Sequence, residues 1–369
     1  MEQILPDTEN VVSLRYADLL NKDADLSVDL ENGLGPEGMG IISVVDIPGY
    51  GELRKKLLPL VEKLAHLPEE SLKKLVDPVS GYNFGWSHGA EKFNGQPDFM
   101  KGSFYANICS DIPNAADTEN MRYPSQCRSN IWPSEDLPEL ERAFKEMGSL
   151  IKEVGYLLAY HCDKFQTSKQ AGKVGVLESM LRRSQGHKGR LLHYYPVECG
   201  HEQNNAEAPV WCGWHTDFGS LTGLTAAMYT KDGVEVPCPD PEAGLYIKTN
   251  PGRVVKAVFD EDSLAYQIGE TTEWVSGGLF HATPHSVQTP KRNHKGVARN
   301  TLAVFMQPSW GEVLDIPGEM KTKINPSLRH DGLTFGEYSE VTIQNYLVYG
   351  VQPNANAIQI NDNNDGGST

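Results

Sequence analysis

The sequence predicts a mainly β protein with an α-rich N-terminal region, in which a sandwich or barrel of short strands carries helices against one sheet. Two observations lead there. From Gly189 onward, short runs rich in Tyr, Val, Leu and Thr are separated by Gly, Pro, Asn and Asp clusters such as Thr249-Asn250-Pro251-Gly252, which is the pattern of a many-stranded β domain. Ahead of that point, apolar residues recur at three and four residue spacing instead, the period of helices that bury one face.

The first helix spans Gly51 to Leu67, where Leu53, Leu57, Leu60, Val61 and Leu64 form a stripe among Lys and Glu; Pro59 is expected to kink it. The second is marked by Leu140, Phe144, Met147, Ile151, Val154 and Leu158. Asp136 is placed to cap it, with Glu139 completing the box. Strands are expected at Arg190 to Tyr195, Ser220 to Met228, Gly244 to Lys248, Val254 to Phe259, Ala265 to Ile268, His285 to Val287 and Asn300 to Gln307. Thr334 to Tyr349 reads as a final helix, and the polar run beyond Pro353 has too little apolar surface to pack. The chain therefore divides into a helical or mixed region (1–188), a β core (189–311), a C-terminal helical segment that completes the pocket (312–352) and a disordered tail (353–369).

With 369 residues, 39% of them hydrophobic, the chain can bury a core large enough for an enzyme. A formal charge of -16 disfavours nucleic acid, which is gripped by clustered Lys and Arg. The N-terminus lacks the basic then apolar order of a secretion signal, and no run is long enough to span a membrane. Six scattered cysteines without a Cys-x-x-Cys pair suggest neither a zinc knuckle nor a disulfide framework. A soluble, cytoplasmic protein with reduced thiols is expected, and a monomer is favoured.

His215 and Asp217 stand two apart in the sequence, so on a strand both side chains reach the same side and can share a metal, while Thr216 points away. Gly219 is expected to allow a close backbone approach beside them. A second imidazole would come from His285, in Ala282-Thr283-Pro284-His285-Ser286-Val287, or from His281, four residues earlier and on the same face. Two imidazoles and one carboxylate suit a non-haem iron(II) centre with open coordination positions. Arg299 and Thr301 are also two apart, and a guanidinium beside a hydroxyl suits a carboxylate. Their strand is apolar on both faces from Leu302 to Met306, so a buried Arg299 needs an anion, from a ligand or from an internal Asp or Glu.

These blocks resemble a known family. Trp214-His215-Thr216-Asp217-Phe218-Gly219-Ser220-Leu221-Thr222, Ala282 to Val287 and Arg299-Asn300-Thr301 are similar to the signature segments of the isopenicillin N synthase-like branch of the iron(II)/2-oxoglutarate-dependent oxygenases. Leu192-His193-Tyr194-Tyr195-Pro196 and Asn130-Ile131-Trp132-Pro133 extend the likeness, which covers roughly residues 40 to 350. The resemblance implies a double-stranded β-helix, or jelly roll, with iron(II) held by His215, Asp217 and His285. It also implies that 2-oxoglutarate is anchored by Arg299 and Thr301, with Tyr195 nearby and His193 where relatives often carry Asn. His285 and Arg299 are farther apart than is common in the family, and the polar stretch 291–296 reads as a longer hairpin loop.

The activity so implied is a dioxygenase reaction. Dioxygen (O2) and 2-oxoglutarate are consumed, succinate and carbon dioxide are released, and an unactivated C–H bond of a small metabolite is hydroxylated, desaturated or cyclised, as in secondary metabolism. Asn83, Trp86 and Asn107 are candidate substrate contacts, while Arg122 and Arg128 are read as solvated surface in preference to carboxylate clamps. Two other readings are an iron oxidase or cyclase of the isopenicillin N synthase type that needs no 2-oxoglutarate, and a non-catalytic small-molecule binder on the same scaffold. The Arg299-x-Thr301 pair disfavours the first, and an intact ligand set disfavours the second.

Overall fold

The computed structural model describes residues 7–93, 95–112, 122–170, 174–197, 210–250, 252–291 and 295–349; the expected tail 353–369 lies outside them. The chain opens with β1 (Thr8–Asn10), β2 (Val12–Arg15), the short helices α1 (Tyr16–Leu20) and α2 (Ser27–Leu34), and β3 (Ile41–Val45). Helices α3 (Tyr50–Ala65) and α4 (Glu69–Lys74) precede β4 (Gly85–His88), β5 (Lys92–Phe93), β6 (Gln96–Pro97) and β7 (Lys101–Asn107). After α5 (Glu139–Lys169) and α6 (Leu177–Arg183) come β8 (Lys188–Tyr194), β9 (Val210–His215), β10 (Leu221–Thr225), β11 (Met228–Lys231) and β12 (Val234–Val236). Next are β13 (Gly244–Lys248), β14 (Val254–Val258), β15 (Leu264–Ile268), α7 (Glu270–Val275), β16 (His285–Gln288), β17 (Val297–Met306) and α8 (Phe335–Tyr349).

Two sheets form the core. The larger runs β2-β3-β15-β10-β17-β8-β7-β4, with β11 and β12 added beside β17, and the smaller runs β1-β14-β13-β16-β9. Side chains of both sheets pack together, as in the cluster of Leu192, Tyr194 and Ala303 with Trp211 and Val287. This is the jelly-roll arrangement of mixed α and β structure that the fold class anticipates.

The N-terminal region is more than a helical layer. It supplies β2, β3, β4 and β7 to the large sheet, so residues 1–188 extend the sheet as well as cover it. Cover comes mainly from α3 and α5. Leu140, Phe144, Met147, Ile151, Val154 and Leu158 of α5 are buried with Leu302, Val304 and Met306 of β17, each such side chain contributing about 1.5–3 kcal/mol. The approach is close: a Cβ on Gly223 of β10 would lie 2.2 Å from Ile151 of α5, so the helix seats against the sheet only because that position has no side chain.

Several local expectations are corrected. Helix α3 ends at Ala65, two residues before the expected end, with Pro59 inside it. Helix α5 takes no cap from Asp136; its cap residue is Pro138, at φ -61° and ψ -25°, whose ring presets the helical φ and lacks the N–H a cap would bind. The strand expected over Ser220 to Met228 breaks into β10 and β11, and Arg54 of α3 donates to the freed carbonyls of Ala226 (3.1 Å) and Ala227 (2.9 Å). The stretch between β16 and β17 is no hairpin: β16 pairs with β13 and β9, β17 with β10, β11 and β8, so the chain crosses from one sheet to the other. Residues 292–294 of it lie outside the described residues. The Asn130-Ile131-Trp132-Pro133 block has a structural role at the end of β7. Asn130 Oδ1 accepts from Asn107 N–H (2.7 Å), and Trp132 Nε1 donates to Asp111 (2.8 Å).

Candidate metal centre and its cavities

Strands β9 and β16 are antiparallel neighbours in which His285 stands opposite His215, and cross-strand partners lie side by side on one face. Asp217 arrives differently. Strand β9 ends at His215, and Asp217 lies beyond it, so a turn rather than strand alternation brings the carboxylate round. That turn is braced by α7: Glu270 N–H donates to Asp217 O (2.8 Å) and Thr271 N–H to Gly219 O (3.2 Å). The close approach falls to Gly269, where a Cβ would meet Gly219 O at 2.1 Å, whereas a Cβ on Gly219 would make ordinary contacts. Thr216 points away from the cluster and donates to Glu270 (2.5 Å), which also accepts from Tyr338 of α8.

Asp217 Oδ1 lies 4.0 Å from His215 Nε2 and 3.9 Å from His285 Nε2. Ligand atoms of all three residues fall within 4.8 Å of one another. Two metal–ligand bonds of about 2.1 Å span at most about 4.2 Å, so both separations fit a shared ion. The remaining ring nitrogens point at backbone oxygens: His215 Nδ1 at Gly213 O (2.9 Å) and His285 Nδ1 at Thr283 O (3.2 Å). Those contacts select the tautomer that leaves each Nε2 lone pair facing the cluster. Burial, reinforced by the neighbouring His215, pushes His285 down to about 4, so this ring is neutral and can ligate at ordinary pH. Burial opposes charge on His215 too, but the Cys212 thiol and the Asp217 carboxylate raise it to about 9, a site that favours a cation. His281 stands apart, its Nδ1 3.2 Å from Glu273.

Deeper between the sheets, a chamber continues from the cluster to Arg299 and Thr301, lined also by Leu192, Tyr194, Tyr229 and Gln267. Arg299 is buried, and its guanidinium lies 5.0 Å over the Tyr194 ring. Its Nε and Nη1 have no hydrogen-bond partner. No Asp or Glu pairs with it among the described residues, so the internal ion pair weighed as one fate of this arginine is absent. Orphaned donors on a buried charge are costly, and a carboxylate would satisfy them. Thr301 Oγ1 donates to Thr225 O (3.1 Å). Both amide atoms of Gln267 are likewise buried without partners.

With the geometry described, likeness to known proteins becomes informative. No family model matches the chain. It is 22% identical over 344 residues to scopoletin 8-hydroxylase of Arabidopsis thaliana, covering 89% of this chain and 80% of the relative. A full-length protein of Neurospora crassa, solved in complex with alpha-KG, superposes with a TM-score of 0.66 at 18% identity over 93% of this chain and 98% of its own. A 2OG-Fe(II) oxygenase family protein of Caulobacter crescentus gives 0.66 at 17% identity, covering 90% and 98%. The chain has the iron(II)/2-oxoglutarate oxygenase fold.

Within this fold the anticipated residues divide. His215, Asp217, His285, Arg299 and Thr301 line one continuous chamber. His193 and Tyr195 do not. Strand alternation turns them to the opposite face of β8, where His193 bonds Asn300 (2.7 Å) and Tyr195 packs against His88; Tyr194 and Leu192 face the chamber in their place. Asn83 lines a second cavity on the other side of the cluster, with Tyr82, Phe218, Ile343 and Leu347. Neither Trp86 nor Asn107 lines that cavity. Trp86 packs on Gly102, and Asn107 caps Cys109 N–H (2.7 Å) while donating to Gln185 O (2.8 Å). Arg122 and Arg128 bond Glu337 (2.7 Å) and Asp77 (2.9 Å). The sequence reading missed Glu91, Lys101, Lys188 and Arg190, all of which line the second cavity; period-2 alternation along β8 was the available signal for the last two.

Proposed function

We propose that the protein is a non-haem iron(II) oxygenase that couples oxidative decarboxylation of 2-oxoglutarate to C–H oxidation of a small metabolite. The observation that carries this reading is the pairing of the His215, Asp217 and His285 cluster with a buried Arg299 of which Nε and Nη1 lack partners, at two ends of one chamber. The donor set fits the metal: two imidazole nitrogens and one carboxylate would hold one face of iron(II), the cation taking the place of the proton that the site favours on His215. The orphaned guanidinium fits the cosubstrate, whose distal carboxylate would take Arg299 Nε and Nη1 with Thr301 alongside. Iron with 2-oxoglutarate and O2 supplies the oxidation.

The chain's own residues bind, orient and exclude water. Leu192, Leu224, Ala303 and Phe305 wall the cosubstrate chamber, and the second cavity, which meets the cluster at His215 and Asp217, receives the primary substrate. Hydroxylation, desaturation and ring closure share this architecture, and likeness to a scopoletin hydroxylase supports a place in secondary metabolism. All of these residues belong to one chain, so a monomer carries the whole site. No helix among the described residues is long and apolar enough to cross a membrane. Cys109, Cys162, Cys212 and Cys238 are free thiols, which supports a reducing, cytoplasmic setting.

Anaerobic addition of iron(II) and 2-oxoglutarate tests the reading. A weak visible charge-transfer band is expected in the wild type and absent in His215→Ala. Iron binding without a band would favour a 2-oxoglutarate-independent oxidase, and failure to bind iron would favour a non-catalytic binder.

A further inference from the structure

The second cavity holds an unusual density of buried charge, most of it mutually satisfied. Arg190 Nη2 donates to Glu91 (2.7 Å), Lys101 lies 3.2 Å from Glu91 and pairs also with Asp98, and Tyr105 Oη donates to Glu91 (3.0 Å). Two cations meet two carboxylates, and the network is electrically closed.

Lys188 lies on the same face of β8, two residues before Arg190, and lines the same cavity. It is buried, at 5% exposure. Its Nζ donates to Ser125 O (2.6 Å) and sits 4.3 Å from the centre of the Phe84 ring. No carboxylate stands within ion-pair reach of it among the described residues; the acid that influences it, Glu340, is engaged by Ser125 N–H (3.0 Å) and Oγ (2.5 Å). One carbonyl and one ring face leave donors of the ammonium unused. Burial of such a group is costly without an anion, and burial pushes its amine down to about 7. The cavity that Lys188 shares with His215 and Asp217 is lined also by Tyr82, Phe218, Ile343 and Leu347 and by the amides of Asn83, Gln126 and Gln307, an apolar surface with a few hydrogen-bonding groups. That combination fits an organic body with an acidic end. A single ammonium matches a monoanionic carboxylate better than a dianionic phosphate, which would call for a second unpaired cation.

We propose that Lys188 anchors a carboxylate of the primary substrate, so that this enzyme acts on small organic acids. The proposal rests on the oxygenase reading and extends it to the substrate class. The test uses the full chain loaded anaerobically with iron(II) and saturating 2-oxoglutarate, which keeps Arg299 occupied. Binding of benzoate and of benzamide, matched in shape and different in charge, is then measured by equilibrium dialysis. Benzoate is expected to bind the wild type about tenfold tighter, worth about 1.4 kcal/mol. Lys188→Met should abolish that preference and Lys188→Arg should keep part of it, with the charge-transfer band reporting folding in each. Equal binding of the two probes by the wild type, which needs no variant, would overturn the proposal, as would a preference that survives in Lys188→Met. Failure of the oxygenase reading looks different, because the band would be missing before any probe is added.

Discussion

Arg190 and Arg299 sit on adjacent strands of one sheet and face the same interior, yet they meet opposite fates. Arg190 is closed off by Glu91 and Ser103, whereas Arg299 has an aromatic ring beneath it and two nitrogens with nothing to bind. A buried guanidinium already neutralised by its own chain is part of the scaffold. One left open is a receptor, because the stability lost by burying it is recovered only when an anion arrives.

This contrast can be broken in stages. Replacing Asp217 by Ala is expected to lower 2-oxoglutarate turnover by about a thousandfold or more; if iron-dependent succinate release persisted, Arg299 would be open for some other reason. Arg190→Met leaves Glu91 with Lys101 and the Tyr105 hydroxyl and is expected to cost about 3 kcal/mol, read from the urea unfolding midpoint. Arg299→Met removes no ion pair and relieves an uncompensated buried charge, so it should leave that midpoint unchanged or raise it, while raising the dissociation constant for 2-oxoglutarate at least about tenfold, the worth of one charged hydrogen bond. An Arg299 variant that unfolds like the Arg190 variant would erase the distinction. The smallest expected effect is that of Asn107→Ala, about 1 kcal/mol of stability from lost turn hydrogen bonds with unchanged steady-state kinetics; a change in substrate saturation would return Asn107 to the substrate site.

The metal cluster was legible because its residues sit in short blocks whose chemistry is unusual in combination. Arg299 and Thr301 were legible through alternation on a strand that is apolar on both sides. On β8, His193 and Tyr195 were carried over from the resemblance alone, and alternation along the strand places Leu192 and Tyr194 at the chamber instead. All of Leu191, Leu192, His193 and Tyr194 are buried, so burial gives no hint of which face meets the cavity, and parity has meaning only once a neighbour fixes it. Glu91, Lys101, Lys188 and Arg190 were missed for another reason. Glu91 and Lys101 each stand alone in the local sequence and read as solvated surface; alternation marks Lys188 and Arg190 as one face of β8, but only the pairing of β7 with β8 brings Lys101 to them, and Glu91 joins through its bonds to Arg190 and Lys101. Helix α7 escaped notice because six residues are too few to display a period, yet it is what positions Asp217.

Strand β17 acts as a ruler. Arg299, Thr301, Ala303 and Phe305 occupy one face of a single unbroken run, and six residues of strand measure about 20 Å. Cosubstrate depth and substrate depth are therefore spaced by backbone geometry alone. Gaining or losing one residue within this strand would swap its two faces and dismantle both chambers at once, so any change of substrate in this lineage must come through its loops, the β8 side chains or the C-terminal helix.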